Sequence, residues 1–151
     1  MNYKQLSKTV LTIISLVALI PEQGFTSDTS KLESQRKLFS AVEKTLLKKD
    51  NTLYNQNLKE LEGYPLMPHL HSLAFINRMS ELGQKDIDTH INKWPTAPSN
   101  KRMQQQWLLF LATKNRWSDY LTAFERSDVQ GSKYQCLNGM AQYKLGKKKE
   151  A

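Results

Sequence analysis

Between Gly63 and Leu70 the chain reads GYPLMPHL, with two prolines within four residues, Pro65 and Pro68, set between segments otherwise rich in helix formers. A proline fixes φ, lacks a backbone donor and pushes the preceding residue out of the α region, so Pro65 stops helix before Tyr64. Pro68 has the opposite meaning. At the start of a helix its missing N–H would have gone unpaired anyway, and its fixed φ suits the helix. Gly63 follows LKELE where a left-handed cap is expected, so the octet predicts a helix end, a stiff corner and a helix start. A second such corner, PTAPSN, follows Trp94.

No run of alternating β-branched residues bounded by hairpin turns occurs, whereas helical periodicity runs through the chain. The spacing predicts a first helix from a capping box at Ser30–Glu33, with Leu32, Phe39, Val42 and Leu46 inward and Lys48 and Lys49 at its end. A second, over 52–62, places Tyr54, Leu58 and Leu61 on one face. A third runs from Pro68 to Leu82 with Leu70, Leu73, Ile76 and Met79 available for burial. A fourth, over 85–93, aligns Ile87, Ile91 and Trp94. Ser99 is the expected N-cap of a fifth, with Met103, Trp107, Phe110 and Leu111 as its stripe. Trp117, Leu121 and Phe124 mark a sixth, and residues 131–151 give a seventh. Seven short helices joined by tight corners predict an all-α array in which helices pack mainly on their sequence neighbours.

The first residues read differently. MNYKQLSK carries Lys4 and Lys8 without an acid, and an apolar run of 11 residues, Val10–Ile20, follows and gives way to Pro21, Gly24 and small polar residues. A span of the bilayer needs about 20 apolar residues, so the run is too short for an ordinary anchor and fits a cleaved secretory signal over 1–27. No cysteine follows it for lipid attachment, so no stable membrane anchor is expected. The helical domain is assigned to 28–151. Without residues 1–27 the chain keeps 20 basic and 13 acidic residues, a net charge of +7. Such a balance suits an anionic partner, but export argues against nucleic acid, and the bases are scattered rather than aligned with aromatics.

Gly139, Gly146 and Ala151 have the spacing of the small residues in a tetratricopeptide helix pair, although Asn138 and Gln142 stand where that pattern prefers Leu and Tyr. KKKEA after Gly146 reads as the opening of a further helix, so the domain is expected to be incomplete at its C-terminal end.

Taken in order, YPLMPHLHSL, WPTAP, MQQQWLLFLATKNRWSDYLTAF and YQCLNGMAQYKLGKKKEA resemble the N-terminal superhelical region of the soluble lytic murein transglycosylases, over roughly residues 35–151. The resemblance implies a right-handed α-superhelix of short helix pairs. It also implies a periplasmic enzyme that cleaves the β-1,4 bond between N-acetylmuramic acid and N-acetylglucosamine in peptidoglycan, leaving a 1,6-anhydro product. In that family one glutamate, in a Glu-Ser motif of a C-terminal lysozyme-like domain, acts first as acid and then as base. That domain is absent from this sequence. The chain is therefore expected to be a noncatalytic part of such an enzyme, with glycan strands and the missing catalytic domain as partners. A free-standing exported helical-repeat module that binds a protein or peptide is the alternative.

No catalytic, cofactor-binding or metal-binding residue is assigned, and no cofactor is expected. Glu33-Ser34 is the only Glu-Ser pair, but it is better read as the capping-box acid. GMAQ at 139–142 imitates the motif that follows the catalytic pair, yet lies in a repeat-like helix. His69 and His71 are two residues apart on different helix faces, and with His90 they lack an acid or Cys to complete a site, so they are read as surface or corner residues. Cys136 is the only cysteine. The resemblance implies that it is half of a disulfide whose partner lies further along the superhelix.

Overall fold

A computed structural model describes the backbone of residues 25–146 and the side chains of residues 29–146. These residues are helical, without a strand: α1 (Phe25–Leu47), α2 (Thr52–Gln56), α3 (Met67–Asn77), α4 (Gln84–Lys93), α5 (Ser99–Thr113), α6 (Trp117–Glu125) and α7 (Ser132–Lys144). A 3₁₀ turn, Met79–Glu81, follows α3. The proposed signal segment lies outside the described residues except for the first residues of α1, and the tail 147–151 lies outside them too. The chain divides into two compact units, Met1–Glu33 and Ser34–Ala151, and the second holds the features described below.

The helix ends follow local chemistry. α1 closes with Lys49 in the left-handed region (φ 65°), the Asp50 N–H donating to Thr45 O at 3.0 Å and the Lys49 N–H to Leu46 O at 2.9 Å. That double closure satisfies carbonyls a helix otherwise leaves open. α2 stops at Gln56, earlier than its periodicity predicts. Asn57 explains the stop: its Nδ2 donates to Leu53 O at 2.8 Å, a local side-chain bond that competes with helix continuation. Leu58 consequently leaves the apolar face and is 40% exposed. Gly63 has φ +77°, as a left-handed cap requires, and Pro68 is the second residue of α3 rather than its first.

Two cap expectations need correction. The Ser30–Glu33 box lies inside α1, whose helix already begins at Phe25. Ser99 is the first residue of α5, with Pro98 before it in helical conformation (φ −58°, ψ −25°), so the Ser99 hydroxyl is free to turn away from its own helix. It lies 3.0 Å from Ser72 Oγ and 3.4 Å from Pro68 O, both on α3.

α3 is the spine. Leu70, Leu73 and Ala74 pack with Phe39, Val42 and Leu46 of α1, with Tyr54 of α2, and with Leu61 and Tyr64 on either side of Gly63. Phe75 and Met79 enter the larger core, built on Met103, Trp107, Leu108 and Leu111 of α5 and closed by Tyr120 and Ala141. α5 packs on α3, α6 and α7, so the main partner of α3 is the next helix but one. The second proline corner produces this pairing, because it folds α5 back across α3. Asparagines sew the smaller core shut: Asn77 Nδ2 donates to Leu46 O (2.8 Å) and to Asn51 Oδ1 (2.9 Å), while Asn51 Nδ2 donates to Ala74 O (3.1 Å). Gln35 Nε2 holds the approach to Gly63 through Glu60 O at 2.7 Å.

The first corner gives a direct test. A Cβ built on Gly63 meets nothing within 4 Å, so Gly63→Val adds backbone strain without a clash, about 1–3 kcal/mol. Pro68→Ala mainly loosens the unfolded chain, about 0.4–1 kcal/mol. Thermal melts should show the larger loss for Gly63→Val; equal losses would contradict the cap.

Candidate functional site

The two proline corners face one another, and Trp94 stands between two clefts that share Pro65, Pro68 and Lys93 as walls. One cleft, about 550 Å³, is bordered by both corners, with His69 on its wall. The other, about 950 Å³, is lined by Tyr54, Leu58, His71 and Trp94 together with Lys59, Arg78 and Lys93. Four of the chain's five prolines border these clefts, which makes their rims stiff.

Trp94 is fixed from behind. Asn100, at the start of α5, donates from Nδ2 to Trp94 O at 2.7 Å, which turns its Oδ1 toward His90 Nε2 at 3.1 Å. An amide oxygen only accepts, so Nε2 of His90 carries the proton. Ser72 Oγ lies beside it at 3.2 Å. The other nitrogen of His90 is then bare when the ring is neutral, and it lies 2.8 Å from Nδ1 of His71. His71 must donate across that gap, which leaves its Nε2 as a free lone pair on a ring that lines the larger cleft. No hydrogen bond engages this Nε2 among the described residues.

The rings stack as well as bond. His71 and His90 lie 4.8 Å apart, Trp94 is 5.0 Å from His71 and 4.9 Å from His90, and Phe75 is 4.2 Å from His71. Burial is the largest cause that pushes His71 down to about 3, with the charges of His90, Lys93 and Arg78 adding to it. Burial lowers His90 too, against the bond from Asn100. Tyr54, edge-on to His71, is pushed up to about 12 by burial and keeps its proton.

Glu62 lines the same cleft, but it makes no ion pair with the cleft's cations. Among the described residues, ion pairs join His69 to Glu43, Arg116 to Asp119 and Arg126 to Asp88, and none involves Lys59, Arg78 or Lys93. Lys93 Nζ rests 4.6 Å from the centre of the Trp94 ring, and the Arg78 guanidinium 5.4 Å from that of Phe75. Arg78 Nε is shut off from solvent with no acceptor.

The expectation of surface or corner histidines therefore fits His69, which is about one-third exposed, and fails for His90, which is 2% exposed, while His71 is half-buried on the wall of the larger cleft. A signal was available: His90 falls three residues after Ile87 and four before Trp94, on the apolar face of α4. Glu33 lies within α1, and Gly139–Gln142 within α7. Cys136 is a free, exposed thiol on α7. No group of three or more His, Cys, Asp or Glu able to hold a metal occurs among the described residues. None of their helices is long and apolar enough to cross a membrane. No family model, no curated protein and no solved structure matches this chain.

The histidine pair predicts a sign. A ring held neutral in the fold while the unfolded chain protonates near 6.5 stabilises the protein fully above that pH, and the contribution is lost as pH falls toward 3. ¹⁵N-resolved NMR should find His90 protonated at Nε2 and His71 at Nδ1, with His71 unchanged from pH 8 to about 5 and His90 titrating below its ordinary value. A midpoint near 6.5 for either ring would contradict the arrangement.

Proposed function

We propose that this chain is a noncatalytic binding module of an exported peptidoglycan-cleaving lytic transglycosylase, and that it holds the anionic cell-wall polymer near the cleaving domain. The observation that carries the reading is the 950 Å³ cleft, where aromatic faces and three cations without acid partners converge. A wall strand offers both chemistries, sugar faces for the rings and carboxylates for the cations. The helix order supports the family reading: the Tyr-Pro-Leu-x-Pro corner leads into α3, Trp-Pro-x-x-Pro separates α4 from α5, and the two longer stretches cover α5, α6 and α7. The packing of α5 on both α3 and α7, with α6 against α5 and α7, is compatible with the helical array this reading expects. Export through residues 1–27 and a periplasmic site belong to the same proposal.

Purified sacculi mixed with the chain should retain it, and retention should fall as salt rises, because exposed charges more than about 8 Å apart are largely screened at physiological ionic strength. Lys59→Gln with Lys93→Gln should weaken retention at low salt. The chain alone should release no anhydromuropeptides. Failure to be retained at any salt overturns the proposal, and release of anhydro products that Glu33→Ala abolishes would overturn the noncatalytic role.

A further inference from the structure

We propose that the larger cleft is a receptor for a short extended peptide ending in a free carboxylate, with Arg78 as the carboxylate anchor and His71 as an acceptor for a ligand N–H. This deepens the binding-module reading and rests on it. Arg78 has no acid within ion-pair distance, its Nε is dry and unpartnered, and its side chain lines the cleft. A guanidinium with unmet donors in a half-buried wall is suited to a planar acceptor that takes two N–H groups at once. A carboxylate is such an acceptor, and Lys93 adds a second positive charge to the same cleft.

His71 contributes the opposite polarity. Its Nδ1 is committed to His90, so the remaining nitrogen of this cleft-lining ring offers a lone pair and no proton. It can therefore receive a ligand N–H but cannot donate to a second carboxylate. Position 78 follows position 71 by seven residues, about 10 Å at the helical rise of 1.5 Å per residue. Three extended residues span about 10 Å. A tripeptide with its carboxylate at Arg78 thus brings an amide N–H to His71, while Tyr54, Leu58 and Trp94 offer apolar walls to its side chains. A neutral sugar would leave Arg78 and Lys93 uncompensated, which favours the peptide acid.

The test uses the full chain and three soluble probes: N-acetyl-trialanine, its C-terminal amide and the neutral trimer of N-acetylglucosamine. The readout is the Trp94 indole N–H signal, assigned with Trp94→Phe. The free acid should shift it saturably, and the amide should bind at least about tenfold more weakly. Arg78→Gln should remove the difference between acid and amide, Arg78→Lys should keep part of it, and thermal melts should confirm that both variants fold. His71→Phe should weaken acid and amide alike. Equal binding of acid and amide overturns the proposal, as does no saturable response to either. Response to the sugar alone assigns the cleft to glycan and overturns it too. Retention on sacculi together with silence toward the peptide acid would leave the wall-binding reading standing and sink this one.

Discussion

His90 has two ring nitrogens and both are committed, one to Asn100 and one to His71. Three helices meet at that ring. Through Asn100 it ties the start of α5 to the carbonyl of Trp94 at the end of α4, and through His71 and Ser72 it ties α4 to α3. A buried polar group left without a partner costs about 1–3 kcal/mol, so every member of this relay constrains its neighbours. The apolar cores on either side of α3 could tolerate some repacking. The relay could not, because each donor in it has a fixed acceptor.

The same relay accounts for the surface it supports. Trp94 cannot retreat into the core, since its carbonyl is held and its ring leans on the two histidines. It therefore stands as the partition between the two clefts, with prolines stiffening both rims. Keeping His71 and His90 neutral also fixes the chemistry of the wall. A protonated His71 would add a positive donor, whereas the neutral ring offers a lone pair within an otherwise cationic setting. Preorganisation of this kind reduces the ordering cost of binding.

Much of the fold was legible in the chain because its signals are local. Gly63 and the prolines marked the first corner, and the stripes through Phe39, Val42 and Leu46 and through Met103, Trp107 and Leu111 marked core faces that are buried. Periodicity misplaced Leu58, where one Asn57 side-chain bond ends the helix, and it made a cap of Ser99, whose hydroxyl meets α3 instead. The site was less legible. His71 and His90 are 19 residues apart, and only the fold-back at the second corner brings their rings together. Arg78 and Lys93 look like any other bases in the sequence; what distinguishes them is their place on the cleft wall against the Phe75 and Trp94 rings, which sequence spacing does not reveal.

A double-mutant cycle between His90 and Asn100 tests most directly whether the buried relay holds the corners together. Stabilities of wild type, His90→Leu, Asn100→Leu and the double variant, from equilibrium denaturation, give the coupling between the two side chains. The account predicts a coupling of about 0.5–3 kcal/mol, with the double variant losing less than the sum of the single losses. Additive losses, within about 0.3–0.5 kcal/mol, would mean that the two residues act independently, and would contradict the account.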